Sequence, residues 1–564
     1  MVRLSAGCLM SNQRYAISPS YQRYRRIKDL LFRQFVRLAA ISVVLALVSL
    51  FVFLFWETLP LFRTATLVDQ TDKVQTHDVI LLPRLEQTPV KLNQDYPLVS
   101  DGSVWLHGDR SIIEPREVGL IQWIMASTNT TEFPMILARP FNHFHVENVS
   151  LLALPGSKAF ISYDPTGLIT LYHATTGRVL ASIQSHIYPL KEIEVSVLGD
   201  LLKLTGGESN QTQWLQIDAP HAEFSWSILW RPWLYEGHQQ PDFIWQTTAN
   251  TDIFEPKFSF VPLSIGTFKA AFYALLFAIP LAILAAIYTA CFLPESARAW
   301  IKPAVELAEA FPTVVLGFIA GMLLAPLIEM HLAMVLSLLI LTPLILMLFY
   351  TLLHRLFMHL KGQSPTSSLL LMLMLLLLTL LISSGLGQQI EVFFFQGDLV
   401  EWLNQRGIDY RQRNGLVIGL VMGFAIMPVI FSLAEDALIS VPESLRQGAM
   451  ALGASPWQAV VKVMLPTAAA GIFAAIMIGF GRALGETMIL LMASGNSPVS
   501  DFSLFEGMRS LAANLAIEAP EAMQGSTHYR VLILSATLLF MLTFLMNTLA
   551  ALVRENLYHR YRRY

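Results

Sequence analysis

The sequence predicts a mainly α transmembrane bundle of about eight helices carrying an inserted extracytoplasmic antiparallel β domain. Three observations predict it. Charged residues are scarce, apolar runs long enough to span a bilayer recur along the chain, and about 200 residues after the first run alternate apolar and polar positions. Hydrophobic residues make up 54% and charged residues 14% of the 564, with a mean hydropathy of +0.52. Soluble domains usually carry about 25% charged residues.

The net charge of −3 argues against wholesale nucleic-acid binding. The two cysteines, Cys8 and Cys291, lie far apart, one in a tail and one in an apolar segment, so neither a disulfide framework nor a zinc site is expected. No G-x-x-x-x-G-K-[ST] phosphate loop, nucleophile elbow or zinc helix occurs, so the chain is not expected to hydrolyse ATP or act as an enzyme, and no cofactor is implied.

Residues 1–37 form a basic tail containing Arg3, Arg14, Arg23, Arg25, Arg26, Lys28, Arg33 and Arg37, opposed by Asp29. An apolar run, 38–56, follows. Its length and the lack of a small-x-small site close behind it favour a retained anchor over a cleaved signal peptide. Residues 57–256 then read as strands. Phe160–Ile183 shows the pattern best: FISY, Asp-Pro-Thr-Gly, LITLYH, Ala-Thr-Thr-Gly, RVLASI. Gly167 and Gly177 stand where the chain must reverse. A similar cue is Asp101-Gly102 before SVWLHG. The spacing suggests a propeller-like blade, but one unit is not a repeat, so an antiparallel β domain is the expectation.

Further spans are expected near 263–290, 304–326, 332–353, 369–387, 415–434, 467–494 and 530–552 within a core of 257–553. Counting Lys and Arg in short loops places both termini on one side. That side holds Arg298 and Lys302, Arg355 and Lys361, Arg446 and Lys462, and the 554–564 tail with Arg554, Arg560, Arg562 and Arg563. The opposite loop 388–413 offsets Arg406, Arg411 and Arg413 with Glu391, Asp398, Glu401 and Asp409, and loop 495–529 has Arg509 alone. This arrangement puts the termini in the cytoplasm and the β domain outside.

The inside loop EDALISVPESLRQGAMALGASPWQAVVKVMLP reads as helix, turn, helix. Gly453 breaks it, Ser455 caps the restart, Pro456 takes the first helical position, and Pro466 opens the next span. Its apolar side needs a partner or a lipid surface. Gln447-Gly448-Ala449, Gly453, Val463, Leu465 and Pro466 fit the spacing of the cytoplasmic motif of ABC importer permeases: Glu-Ala-Ala, three residues, Gly, nine residues, Ile-x-Leu-Pro. The departures are Gln447, Gly448 and Val463. In that family the loop docks on the ATP-binding subunit, so the resemblance implies a type I importer permease with ATP hydrolysis on a separate subunit.

The next span carries GFGRALGETMILLMASGN, with Arg482 and Glu486 near mid-membrane. Charge there is costly and marks function or a buried pair. Four residues apart, the two share a helix face and are positioned to pair, and Gly479, Gly481 and Gly485 invite a close helix neighbour. A guanidinium fork suits a tetrahedral oxyanion. A structural tie between helices is the alternative reading.

GRALGET resembles the signature of the phosphate-specific permeases, the PstC type more than PstA. The resemblance implies that Arg482 and Glu486 contact passing phosphate. It implies as partners a second permease, ATP-binding subunits and a periplasmic phosphate-binding protein, all at a bacterial inner membrane. Residues 258–290 and 302–318 also resemble the family's first two core helices, whereas 327–413, an extra helix pair, look inserted. Thr313 offers a hydroxyl to the path beside Pro312 and Gly317, which are expected to interrupt their helix. Glu435 and Asp436 are expected as interface or solvated charges. Another oxyanion as cargo (sulfate, phosphonate or molybdate), or an envelope sensor with a vestigial pore, are the rival readings.

Overall fold

The computed structural model describes residues 19–71, 80–82, 102–116, 119–127, 134–141, 149–164, 166–206, 211–248, 254–361 and 365–561. Cys8, Arg3, Arg14, Asp101, Arg562 and Arg563 lie outside them. Eight described helices are long and apolar enough to cross a membrane. The first, α1 (Pro19–Thr58), belongs to a unit ending at Leu59, and the rest of the chain forms a second unit. Along α1 the Ser42 and Ser49 hydroxyls donate back to the carbonyls of Ala39 and Ala46, which lets these polar side chains sit in an apolar run.

The second unit opens with thirteen described strands. These are β1 (Thr66–Asp69), β2 (Leu81–Leu82), β3 (Val104–Trp105), β4 (Ser111–Arg116), β5 (Gly119–Met125), β6 (Met135–Phe141) and β7 (Ser150–Ala153). There follow β8 (Ala159–Tyr163), β9 (Leu168–His173), β10 (Arg178–Gln184), β11 (Leu190–Ser196), β12 (Leu201–Gly206) and β13 (Gln211–Asp218). They form three antiparallel sheets, ordered β3-β4-β5-β6, β10-β9-β8-β7 and β1-β13-β12-β11-β2. The first two are meanders of consecutive strands. In the third, β1 returns to pair with β13, Thr66 opposite Asp218, and so ties the start of the domain to its end.

The turns form where the sequence demands them. Asp164 Oδ1 accepts the Leu168 N–H at 3.0 Å, and Gly167 and Gly177 adopt φ +85° and +67°, backbone that disfavours a side chain. Apolar residues at alternate positions fill the space between sheets: Phe160, Tyr172, Phe141 and Ile113 on one side, Ile161, Leu171, Leu202 and Leu204 on the other.

After a short helix, α2 (Trp226–Trp230), and the β14 (Trp245–Gln246)–β15 (Lys257–Phe258) pair, the membrane core begins with α3 (Val261–Cys291). Next come α4 (Glu295–Glu309), α5 (Thr313–Ile319), α6 (Ala325–Met330), α7 (Leu332–Lys361), α8 (Pro365–Phe394) and α9 (Leu399–Gln405). The remainder are α10 (Gly415–Ile439), α11 (Glu443–Ala451), α12 (Pro456–Ala459), α13 (Leu465–Gly485), α14 (Met488–Ala493), α15 (Leu511–Glu518) and α16 (Thr527–Tyr561).

The centre of the core is the α3–α10 contact. Gly415, Gly419 and Gly423 recur every fourth residue, and a methyl group on any of them would come within about 3 Å of Leu504, Phe277 or Ala274. With no hydrophobic effect between helices in lipid, this closeness and the dispersion it permits hold them together.

Two π-turns, Ala320–Leu324 and Val460–Met464, each precede a proline, Pro326 and Pro466. A proline removes an N–H and crowds the carbonyl four residues back, and the wider turn absorbs both. α5, α6 and their π-turn therefore make one span, Thr313–Met330, and α12 runs unbroken into α13. α7 and α8, the pair expected to be an insertion, pack antiparallel, with the Ser337 hydroxyl donating to the Ser383 carbonyl at 2.8 Å.

The expected 304–326 span is corrected. The chain breaks at Ala310–Pro312, and α4, with no buried residue, is a separate amphipathic helix. Pro312 adopts extended backbone there, ψ 119°, and its ring disfavours helical backbone at Phe311. The expected 467–494 span also ends early, at Gly485, because Glu486 turns extended and caps α14.

Candidate functional site

α13 crosses α10 with Gly479 against Ile426 and Ile430, midway along α10. Arg482, one turn further on, therefore stands close to the level of the middle of α10. Its Nη1 donates to Glu309 Oε1 at 2.8 Å, and both side chains are partly exposed, 32% and 44%. The expected Arg482–Glu486 pair is not formed. The helix ends between them, and Glu486 Oε1 instead accepts the N–H groups of Met488 and Ile489 at 3.2 and 3.4 Å. A carboxylate four residues on can reach back only along a continuous helix.

Glu309 was the missed partner. The only signal for it in the sequence was an acidic residue three places before Pro312.

Gly479 accepts a close neighbour, Ile430, and Gly481 faces Asn547, but Gly485 has open space around it and serves the break instead. A cleft of about 430 Å³ opens beside this region, lined by Ile478, Gly481, Arg482, Asn547 and Arg554 among others. Thr313 is the first residue of α5. One turn on, Gly317 lies against the Met488 carbonyl, where a methyl group would meet it at 2.9 Å, so Gly317 is a packing position and does not interrupt the helix. Thr313 makes no hydrogen bond to Arg482 among the described residues.

Glu435 is fully buried, with Arg298 at 3.0 Å and Lys302 at 3.2 Å, while Asp436 takes a second contact from Lys302. Glu435 is thus an internal anchor for α4 and not a solvated charge; a carboxylate buried at a helix end needs such cations. Lys269, in α3, is a buried cation that no sequence motif marks.

The inside loop folds as its residues prescribe. α11 contains Gln447, Gly448 and Ala449, and Gln447 Nε2 donates to Glu443 Oε1 at 3.2 Å. Gly453 takes φ +91°. Ser455 Oγ accepts the Gln458 N–H at 3.3 Å while Gln458 Oε1 accepts the Ser455 N–H at 2.9 Å, a reciprocal cap. Leu465 and Pro466 are half-buried where α13 starts, whereas Leu452 and Trp457 stand 92% and 56% exposed. Apolar side chains of that size in a charged loop leave an uncovered face.

Outside the spans, Glu518 gathers four partners. Trp245 Nε1 donates at 2.9 Å, Thr247 Oγ1 at 3.0 Å and Arg509 Nη2 at 2.8 Å, and His528 Nε2 lies at 2.9 Å. Burial pushes its carboxyl up, but His528, Trp245, Arg509 and Thr247 together hold it below the usual range. This node fastens the segment leaving the β domain to α15 and α16.

A family model described as the binding-protein-dependent transport system inner membrane component matches residues 278–563, half of the chain. The chain belongs to this family. As a permease of the family it is a multi-pass membrane transport subunit, a component of the ABC type. Among its relatives is the phosphate transport system permease protein PstC 1 of Mycobacterium tuberculosis, 27% identical over 293 residues, 51% of this permease and 70% of that protein.

PstC of Haemophilus influenzae is 38% identical over 135 residues, 24% of this permease and 42% of its own length. The probable ABC transporter permease protein YqgH of Bacillus subtilis is 24% identical over 312 residues, 55% and 77% of the two chains. The permease thus resembles the PstC type. A solved bacterial alginate ABC transporter, in complex with an alginate pentasaccharide-bound periplasmic protein, aligns over 54% of this chain and 78% of its own at 13% identity and a TM-score of 0.29.

Proposed function

We propose that this permease is the membrane-spanning subunit of an ATP-driven importer of inorganic phosphate at a bacterial inner membrane. The observation that carries the reading is Arg482. It is a partly exposed guanidinium close to the level of the middle of α10, beside two helix breaks, at Ala310–Pro312 and Gly485–Thr487. Irregular backbone at that depth is tolerated where it lines a water-filled path, and an arginine fork matches a tetrahedral oxyanion. Glu486 and Thr313, which open the two half-helices, stand in the same path. The relatives named for phosphate transport support phosphate as the cargo.

The partners are a second permease, ATP-binding subunits and a periplasmic phosphate-binding protein. Residues Gln447, Gly448, Ala449, Gly453, Leu465 and Pro466 shape the loop that meets the ATP-binding subunit, and exposed Leu452 and Trp457 supply its apolar contact. Both termini are cytoplasmic, and the β domain, 57–256, projects outside. Direction requires that affinity at Arg482 differ between outward- and inward-facing states.

Uptake of labelled phosphate by cells carrying Arg482→Gln tests the reading. Uptake should be abolished with the protein still assembled, and normal uptake rejects the role. Competition by unlabelled sulfate, phosphonate and molybdate at the wild type fixes the cargo: displacement by one of these in preference to phosphate overturns it.

A further inference from the structure

α4 meets its neighbours along one edge that carries Val305, packed against the core, and four charged side chains. Arg298, Lys302, Glu306 and Glu309 follow at spacings of four, four and three, and so lie along one side of the helix. Up that edge, Arg298 and Lys302 hold Glu435, Glu306 accepts the Ser432 hydroxyl at 3.3 Å, and Glu309 accepts from Arg482.

The two ends differ in kind. Glu435 is 0% exposed and held by two cations, which a buried carboxylate needs; that end is fixed. The Glu309–Arg482 contact uses a single guanidinium nitrogen and leaves both side chains partly exposed, so burial locks neither partner in place. Glu309 also sits in the last turn of α4, where the helix dipole disfavours a negative charge.

Resting on the anion-contact reading of Arg482, we propose that Glu309 is a tethered counter-anion. It occupies Arg482 while the path is empty, and an entering oxyanion displaces it. A carboxylate and a phosphate oxygen use the same N–H donors, so each excludes the other at a given donor. Once displaced, Glu309 faces a like charge. The resulting repulsion moves the last turn of α4, beyond the Glu435, Val305 and Ser432 contacts that hold the rest of the helix, at the Ala310–Pro312 break. When the anion leaves, Glu309 returns to Arg482 and prevents rebinding. Glu309 is thus a positioning residue that weakens anion binding and speeds release.

The test compares labelled-phosphate uptake kinetics in cells with the complete transporter carrying wild type, Glu309→Gln, Glu309→Asp or Arg482→Gln, each normalised to membrane-assembled protein. With the competitor's charge removed, Glu309→Gln should lower KM by roughly two- to fivefold, the equilibrium equivalent of an exposed ion pair, and lower the maximal rate through slower release. Glu309→Asp, with a shorter reach, should fall between this variant and wild type, and it carries the same reading should the glutamine variant not accumulate. A purely structural tie would reduce assembly or maximal rate without lowering KM. An unchanged or raised KM in the assembled variants, with Arg482→Gln inactive, overturns the proposal alone. Normal uptake by Arg482→Gln overturns the anion reading beneath it.

Discussion

At the scale of single residues, burial decides which charges are fixed and which exchange. His173, at the end of β9, is buried, and its Nδ1 accepts the Thr176 N–H at 3.3 Å, which requires the neutral ring at that nitrogen. Burial, with Arg139, Arg178 and Lys158 nearby, pushes its pKa down to about 3. The unfolded chain therefore binds this proton near the ordinary value of 6.5, whereas the folded chain does not until near 3. Its contribution is whole above about pH 6.5 and declines as pH falls between the two values. Acidifying from pH 7 to 5 should cost about 2 kcal/mol at this residue. Thermal melting of full-length wild type against His173→Phe checks this: the wild type should lose more stability over that interval, and parallel losses would refute it. Arg482 lies at the opposite extreme, half-open and singly bonded.

At the scale of elements, breaks and caps set the course of the backbone. The two prolines that follow π-turns leave their spans continuous, whereas Pro312, with no such turn before it, separates α4 from α5. In the loop, Gly453 holds φ +91° with nothing packed against it, so only backbone strain opposes a side chain there. Gly453→Ala should cost about 1–2 kcal/mol of local strain and re-aim α11 against α12. The expected result is reduced phosphate uptake and reduced co-purification of ATP-binding subunit at an unchanged membrane level. Undiminished co-purification and uptake would show that the turn angle is unimportant. The Gly415–Gly419–Gly423 stripe takes its meaning from the structure, because a close-approach stripe names no neighbour.

At the scale of the whole molecule, Glu518 joins parts distant in sequence. Trp245 and Thr247 come from the segment after the β strands, Arg509 and Glu518 from the loop before the last span, and His528 from that span's first turn. Truncation would leave Arg509, whose side chain is 13% exposed, without its carboxylate, and breaking a buried pair costs about 3–5 kcal/mol. Glu518→Ala should therefore lower the melting temperature of the purified permease and make the 245–258 segment more accessible to protease. An unchanged proteolysis pattern would mean that the node does not hold that segment.

The sequence alone determined the membrane class, the helix number, the strand-and-turn pattern around Gly167 and Gly177, and the shape of the 443–466 loop. Each is written in local signals: apolar length, period-two alternation, a cap, a glycine, a proline. It also picked out Arg482, since charge in an apolar run is conspicuous. Only the tertiary structure decided what Arg482 pairs with, that Glu435 is buried, and where two spans break. Those outcomes depend on which groups from remote segments reach the same place, and the energy of a charge is fixed by its surroundings in space, which adjacency along the chain does not specify.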